Sequence, residues 1–228
     1  MSLPVYEDVD LITELILLTV SASVWEVPKT YGRLKQQIGE GRNVCSTDAG
    51  HGFLLIMTQK GIHPARLPAE QLLQDCLVRR TRHGGPGGQH RNKVETAIEI
   101  LHQPTGIVSF AAERRSQEAN RQVAVFRLRT LLAIRVRSVN SSEVHPTELW
   151  QKRCRQQKIQ CNERHDEFPA MLAEALDALD AKDFEPAVAA AALGCSSTQL
   201  IRFIAHQSEA LDWLNQQREQ RGLRRLHA

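Results

Sequence analysis

Four glycines stand within five positions of the segment Gly84–Gln89, which reads Gly-Gly-Pro-Gly-Gly-Gln. Ordering so many glycines costs conformational entropy, which a chain tolerates where its backbone must approach another group closely or adopt positive φ. Neither nucleotide-binding pattern fits, because the phosphate-loop pattern would need glycine at Gln89 and the dinucleotide pattern would need glycine at His90. The segment therefore predicts a tight, exposed loop that presents backbone N–H groups to a reacting centre.

Side chains near this segment offer little conventional catalytic chemistry. Cys76, His83 and His90 lie close by in sequence, but no residue supplies the orienting third member of a triad. We interpret them as structural or RNA-contacting. Farther along, Cys154, Cys161 and His165 form a C-x6-C-x3-H run that lacks the close ligand pair of zinc sites. We therefore expect neither a metal nor a cofactor.

The elements around the glycine segment form the clearest unit of the sequence. Residues 75–82 predict a strand that enters the segment, and residues 96–102 predict a second strand after it. Gln103–Gly106 has the proline and glycine of a turn, so residues 107–111 should return as the other strand of a hairpin. The apolar spacing then becomes helical from Ser116, a suitable N-cap, to about Ile134.

Three blocks of this unit together resemble the catalytic domain of bacterial class I peptide chain release factors. The blocks are Gly84–Lys93 (GGPGGQHRNK), His102–Ile107 (HQPTGI) and Glu113–Arg121 (ERRSQxxNR). They occur in the family's order, and the resemblance runs from about Cys76 to Ala133. It implies an α+β fold, with a small β-sheet and helix forming the catalytic domain and an all-helical module following it.

The resemblance also implies an activity and a site. The family's Gly-Gly-Gln enters the peptidyl transferase centre and promotes attack of water on the ester between peptide and tRNA. Gly87 and Gly88 would give the backbone its shape. Gln89 would direct its backbone N–H to the developing oxyanion, while its side chain orders water and excludes bulkier nucleophiles. The implied partners are large-subunit rRNA, peptidyl-tRNA and a glutamine methyltransferase acting on Gln89.

Basic residues are concentrated in the same region. Residues 77–140 hold 12 Lys and Arg against 4 Asp and Glu, and every cation except Lys93 is arginine. Arginine favours bidentate phosphate contacts, so this excess favours a nucleic-acid partner over a merely solvated face. The side chains that we expect to contact rRNA are His90, Arg91, Lys93, Arg114, Arg115 and Arg121. Arg91 departs from the family, which usually has an apolar residue there.

Full-length release factors read the stop codon with a characteristic tripeptide, and its status in this sequence bears on what triggers hydrolysis. Ser-Pro-Phe does not occur, and we regard the Pro-x-Thr match at Pro28-Lys29-Thr30 as chance because no decoding domain surrounds it. The chain therefore resembles the short, codon-independent members of the family, some of which rescue stalled ribosomes. The alternative is a non-catalytic ribosome- or RNA-binding protein with a vestigial loop.

The remaining sequence predicts the following organisation. Residues 1–56 are poorly patterned; they are either a true extension or a start-site overcall with Met57 as the first residue. Residues 57–136 would form the catalytic domain and residues 137–147 a polar linker. Residues 148–228 would form a helical module with a helix-turn-helix-like segment, its helices at 149–159, 169–181, 186–193, 198–206 and 209–220.

The balance of charge and apolarity completes these expectations. Residues 150–228 hold 11 cations and 11 acids, which argues against a DNA-binding regulator built on the helical module. The longest apolar run is too short to span a bilayer, and no secretory signal is visible, so we expect a cytoplasmic protein without a membrane partner.

Overall fold

A computed structural model describes residues 56–58, 62–81, 96–138 and 144–227 of the chain. All of them belong to one compact unit. The elements, in chain order, are β1 (Ile56–Thr58), a 3-10 turn (Pro64–Arg66), α1 (Ala69–Gln74), β2 (Cys76–Thr81), β3 (Ala97–His102), β4 (Ile107–Ala111), α2 (Gln117–Arg135), β5 (Val136–Ser138), α3 (Glu148–Arg153), β6 (Cys154–Arg155), β7 (Lys158–Ile159), α4 (Phe168–Asp180), α5 (Pro186–Leu193), α6 (Ser197–Ala205) and α7 (Ser208–Gln220). This α+β architecture confirms the predicted fold class.

The central sheet is antiparallel, with strand order β2-β3-β4. Its hairpin forms as the sequence predicts, with His102 opposite Ile107 and a four-residue turn between them. Gly106 closes that turn at φ 71°, a left-handed conformation that glycine adopts without a Cβ penalty. Alternate residues of β4 are buried, and Ser109 donates a 2.9 Å hydrogen bond to the carbonyl oxygen of Ala124 in α2.

Helix α2 joins the sheet to the C-terminal helices, because it packs against β3 and β4 and also against α4. Ser116 caps it as predicted, with its hydroxyl accepting from the backbone N–H of Ala119. Arg129 of this helix is buried, and its guanidinium binds Asp166 at 2.8 Å and the carbonyl oxygen of Ala65 at 3.2 Å. One continuous apolar core extends from Ile98 in the sheet to Leu214 in α7.

Residues 137 and 138 were assigned to the polar linker and Val136 to the catalytic domain, but together the three form β5, which pairs in parallel with β1. Arg137 is completely buried there and forms a 2.8 Å ion pair with Asp177 of α4. Its guanidinium also lies 4.9 Å from the ring centre of Trp213. The polar composition that suggested a linker does not reveal this strand, because the ionic and aromatic partners that compensate the buried charge lie about 40 and 76 positions later.

The predicted basic helix over residues 149–159 was also wrong in its second half. Helix α3 ends at Arg153, and a small antiparallel hairpin follows, with Cys154 opposite Ile159 and Arg155 opposite Lys158. The other C-terminal helices agree with the prediction within one or two residues, including the end of α5 at Gly194 (φ 69°) and the Ser196 cap of α6. Among the described residues, no helix is both long and apolar enough to cross a bilayer.

Candidate functional site

The glycine-rich segment departs from two paired strand ends. Gly87, Gly88, Gln89, His90, Arg91 and Lys93 all lie outside the described residues, between Thr81 and Thr96. The last residue of β2, Thr81, is the register partner of Ala97, the first residue of β3. The two points from which the segment leaves the sheet are therefore held side by side by a strand ladder.

The third motif block lies at this same end of the sheet. Strand β4 ends at Ala111, next to Ile98 of β3, so residues 112–116 emerge beside the start of β3. The second block, His102–Ile107, forms the turn at the opposite end of β3. Since a strand rises about 3.3 Å per residue, the two ends of this six-residue strand are roughly 17 Å apart. The fold thus brings the two described residues that flank the first block, Thr81 and Thr96, to the same end of the sheet as the third block, and it leaves the second block as a turn at the other end.

Asn120 of the third block binds Thr96, the first described residue after the first block. Its side chain is fully buried, and its amide nitrogen donates to the carbonyl oxygen of Thr96 at 2.7 Å and to that of Arg114 at 2.9 Å. Its amide oxygen accepts from the backbone N–H of Arg114 at 2.8 Å. Asn120 therefore ties Thr96, the first described residue after the glycine-rich segment, to the loop before α2. Sequence analysis quoted Asn120 within the motif but did not assign it to the site.

The described cations predicted to contact rRNA are all exposed at this end of the molecule. Arg114 and Arg115 take part in no side-chain ion pair among the described residues, whereas Arg121 lies 3.9 Å from Glu118. Glu113 is engaged elsewhere: its carboxylate binds Arg127 at 2.6 Å. Although slight burial alone would raise the pKa of Glu113, the hydrogen bond and charge of Arg127 lower it below its ordinary value. The nearby carboxylates thus do not neutralise Arg114 and Arg115.

An open groove of about 1070 Å³ runs along α2 beside these cations. Its walls combine arginine side chains, Arg114 and Arg127, with the partly exposed Val108 and Phe110 of β4. Guanidinium groups beside an exposed aromatic ring suit the phosphates and unstacked bases of RNA. The groove therefore extends the cationic end of the domain along the helix.

Cys76 has the chemistry of a structural thiol. Burial, and to a smaller extent the neighbouring Asp75, raise its pKa to about 11, so the thiol stays protonated at neutral pH. It donates to the carbonyl oxygen of Leu72 at 3.1 Å. A protonated, hydrogen-bonded thiol is a poor nucleophile, so Cys76 is not suited to covalent catalysis.

The residues considered for a metal take part in separate local interactions. The thiol of Cys154 faces the carbonyl oxygen of Gly194 and that of Cys161 faces Asn162, and burial raises the pKa of both thiols. His165 bonds the guanidinium of Arg153. Within the described part of the chain, no group of three or more His, Cys, Asp and Glu side chains could hold a metal ion.

Part of the chain is similar to known proteins. The RF-1 domain family matches residues 72–173, which include β2 to β4, α2 and the start of α4. Peptide chain release factor 1 of Caldicellulosiruptor bescii is 36% identical over 118 residues, or 50% of this chain and 33% of that protein. Release factor 1 of Chlorobaculum tepidum is 51% identical over 59 residues, or 26% of this chain and 16% of that protein.

A second type of factor is also similar: peptide chain release factor 2 of Kosmotoga olearia is 33% identical over 103 residues, covering 43% of this chain and 28% of that factor. The chain spans a third or less of the length of these relatives. The shared region contains the sheet, the long helix and the motif blocks, which confirms the resemblance predicted from them. Residues 72–173 of this chain are therefore similar to the RF-1 domain of peptide chain release factors.

Proposed function

We propose that this protein hydrolyses the peptidyl-tRNA ester on the ribosome, with Gly87, Gly88 and Gln89 as its catalytic residues. The observation that carries the proposal is that the residues flanking the glycine-rich segment, Thr81 and Thr96, are held close together at one end of the sheet. In a domain of release factor ancestry, Gly-Gly-Gln is preceded by a paired strand and followed by Thr96, which Asn120 fixes. Such anchoring supports a loop that reaches outward from a firm base.

The proposed reaction needs no protein nucleophile. Water adds to the ester carbonyl carbon, the carbonyl oxygen becomes an oxyanion, and the C–O bond to the tRNA ribose then breaks. The ribose oxygen leaves with a proton, and the peptide leaves as a carboxylic acid that ionises. The backbone N–H of Gln89 would donate to the oxyanion, and a preorganised donor of this kind contributes about 3–4 kcal/mol to stabilising the transition state. The protonated state of Cys76 agrees with a reaction in which water, and no protein side chain, is the nucleophile.

Contacts with rRNA would orient the domain. Arg114, Arg115 and Arg121 are exposed beside the base of the segment, and His90, Arg91 and Lys93 follow Gln89 directly in sequence. Guanidinium and ammonium groups so placed can bind backbone phosphates on both sides of the inserted loop. A glutamine methyltransferase is a further proposed partner, with the side-chain amide nitrogen of Gln89 as the methyl acceptor.

We further propose that hydrolysis does not require a stop codon. The catalytic domain is followed by α3, a short hairpin and four further helices, and the only decoding-type tripeptide in the sequence is Pro28-Lys29-Thr30. In this proposal the protein acts in ribosome rescue, where the A site holds no stop codon.

Peptide release from ribosome complexes tests both proposals. Complexes stalled with and without a stop codon in the A site, each carrying labelled peptidyl-tRNA, would be mixed with the full chain. We expect equal release from both. Gln89→Pro removes the backbone N–H and should lower the release rate about 100- to 1000-fold. Gln89→Ala is the matched control that keeps the N–H, and it should retain more activity than Gln89→Pro while losing discrimination against bulkier nucleophiles.

The non-catalytic alternative gives a different result in the same assay. A vestigial loop predicts ribosome binding without any release of peptide, and identical behaviour of wild type and both Gln89 variants. That outcome would leave the protein as a ribosome-binding member of the family.

A further inference from the structure

The overall neutrality of the C-terminal module conceals a separation of charge. Residues 149–162 contain four cations and no acid, and residues 186–208 contain Arg202 and no acid. All eleven acids of residues 150–228 fall in two other stretches, 163–185 and 209–219. The two acid-free segments pack together, because α6 contacts β7. The neutral balance that argues against a DNA-binding regulator therefore does not describe this side of the module.

Two cations stand directly opposite each other on the small hairpin. Arg155 of β6 is the register partner of Lys158 of β7, so the two side chains lie on one face, while the partly buried Cys154 and Ile159 pack against the core. Like charges at opposed positions destabilise a strand pair. Among the described residues, neither cation has an ion-pair partner. The pair thus forms an uncompensated positive site on the outer face.

The hairpin turn is strained and is held by the neighbouring helices. Gln156 and Gln157 adopt φ of 51° and 60°, values that residues with a Cβ adopt only at an energetic cost. The carbonyl oxygen of Gln157 accepts from the backbone N–H of Ser196, in the turn between α5 and α6, at 3.3 Å. Trp150 of α3 donates to the carbonyl oxygen of Leu193 at 2.8 Å. The hairpin and α3 are therefore fixed to the junction between α5 and α6.

Helix α6, which contacts β7, carries a further exposed cation near the hairpin. Thr198 and Arg202 are both exposed and, being four positions apart, lie on the same side of the helix. Arg202 shares a groove of about 380 Å³ with Ile159, the neighbour of Lys158 on β7. We define the hairpin–helix face as Arg155, Lys158, Thr198 and Arg202.

We propose that the hairpin–helix face binds the phosphate backbone of double-stranded RNA. Cations at fixed positions on a rigid support match the regular phosphate spacing of a double helix better than that of a flexible strand. The choice of RNA rather than DNA rests on the proposed ribosomal function. Because the major groove of A-form RNA is too deep and narrow for side chains to read, α6 would contact backbone rather than base edges.

Binding of the full chain to a short RNA duplex, a DNA duplex of the same sequence and single-stranded RNA tests this proposal. Arg155→Gln/Lys158→Gln is the test variant, and Arg224→Gln/Arg225→Gln, outside the face, is the control that removes the same two positive charges. The loss of two phosphate contacts should weaken RNA-duplex binding about tenfold or more and reduce the salt slope by about 1.5. The control variant and the charge-conserving Arg155→Lys should bind like wild type.

Three results would overturn the proposal: equal weakening in the test and control variants, no weakening in either, or binding to DNA or single-stranded RNA as tight as to duplex RNA. Thermal melts accompany each measurement, and the test variant should be at least as stable as wild type because a repulsive pair has been removed. This outcome is separable from that of the proposed catalysis. Peptide release by wild type tests the proposed catalysis, and its failure would leave the RNA-binding result intact.

Discussion

Replacing Asn120 by alanine should uncouple the glycine-rich segment from the rest of its domain. The substitution removes three hydrogen bonds of 2.7–2.9 Å from a fully buried position. At about 1 kcal/mol each, their loss lowers the free energy of unfolding by roughly 3 kcal/mol. The bond to Thr96 alone, about 1–1.5 kcal/mol, bears directly on the segment. If the free energy of this bond contributes fully to stabilising the transition state, its loss slows peptide release about tenfold.

Two further variants separate positioning from general stability. Asn120→Asp keeps an acceptor for the N–H of Arg114 but loses both amide donors, so it should slow release about as much as Asn120→Ala. Ser109→Ala also removes a buried hydrogen bond to α2, but on β4 and away from Thr96. It should lower the melting temperature without changing the release rate at a temperature where the protein is folded.

The assay is single-turnover peptide release from stalled ribosomes at saturating protein, with folding checked by circular dichroism. Wild-type release by a folded Asn120→Ala variant would refute the positioning role of Asn120. Equal slowing by Ser109→Ala would also refute it, because the loss would then follow general destabilisation rather than the bond to Thr96.

Two other predictions follow from shifted pKa values. Burial, together with the nearby charge of Arg137, outweighs the favourable charge of Asp177 and lowers the pKa of His63 to about 4. Because this pKa is below the unfolded value of about 6.5, the neutral histidine contributes stability that is fully present above pH 6.5. That stability is lost as the pH falls through 4. Urea unfolding at pH 7 and pH 4 should therefore show an acid-induced loss about 3 kcal/mol larger for wild type than for His63→Gln, and equal losses would contradict the assignment. The pKa of about 11 for Cys76 predicts slow alkylation by iodoacetamide at pH 7 and a rate that keeps rising until about pH 11. Cys76→Ala should release peptide at the wild-type rate, and a loss beyond its effect on stability would point to a chemical role for the thiol.

Local signals made the catalytic domain predictable from sequence. The alternating strand over residues 107–111, the proline and glycine of the turn Gln103–Gly106 and the Ser116 cap each act within a few residues. Their spacing therefore determines the hairpin and the start of α2. The motif blocks added the resemblance to release factors, although sequence alone did not show that the second block lies at the opposite end of β3 from the third.

Interactions between distant residues explain what the sequence did not reveal. The hairpin at residues 154–159 has a Gln-Gln turn without glycine or asparagine, and its conformation depends on a bond from Ser196 about 40 positions later. The burial of Arg137 likewise depends on Asp177 and Trp213. The role of Asn120 is of the same kind, because a conformation-specific bond to Thr96 cannot be read from residue type.

The central claim is ribosome-dependent ester hydrolysis by the Gly87-Gly88-Gln89 segment without stop-codon reading. Its most direct test is the rate of labelled-peptide release from ribosomes stalled on a message that has no stop codon in the A site. We predict release by wild type at the same rate as from stop-codon complexes, and a loss of about 100-fold or more with Gln89→Pro. Release only in the presence of a stop codon, or rates equal for wild type and Gln89→Pro, would contradict the account.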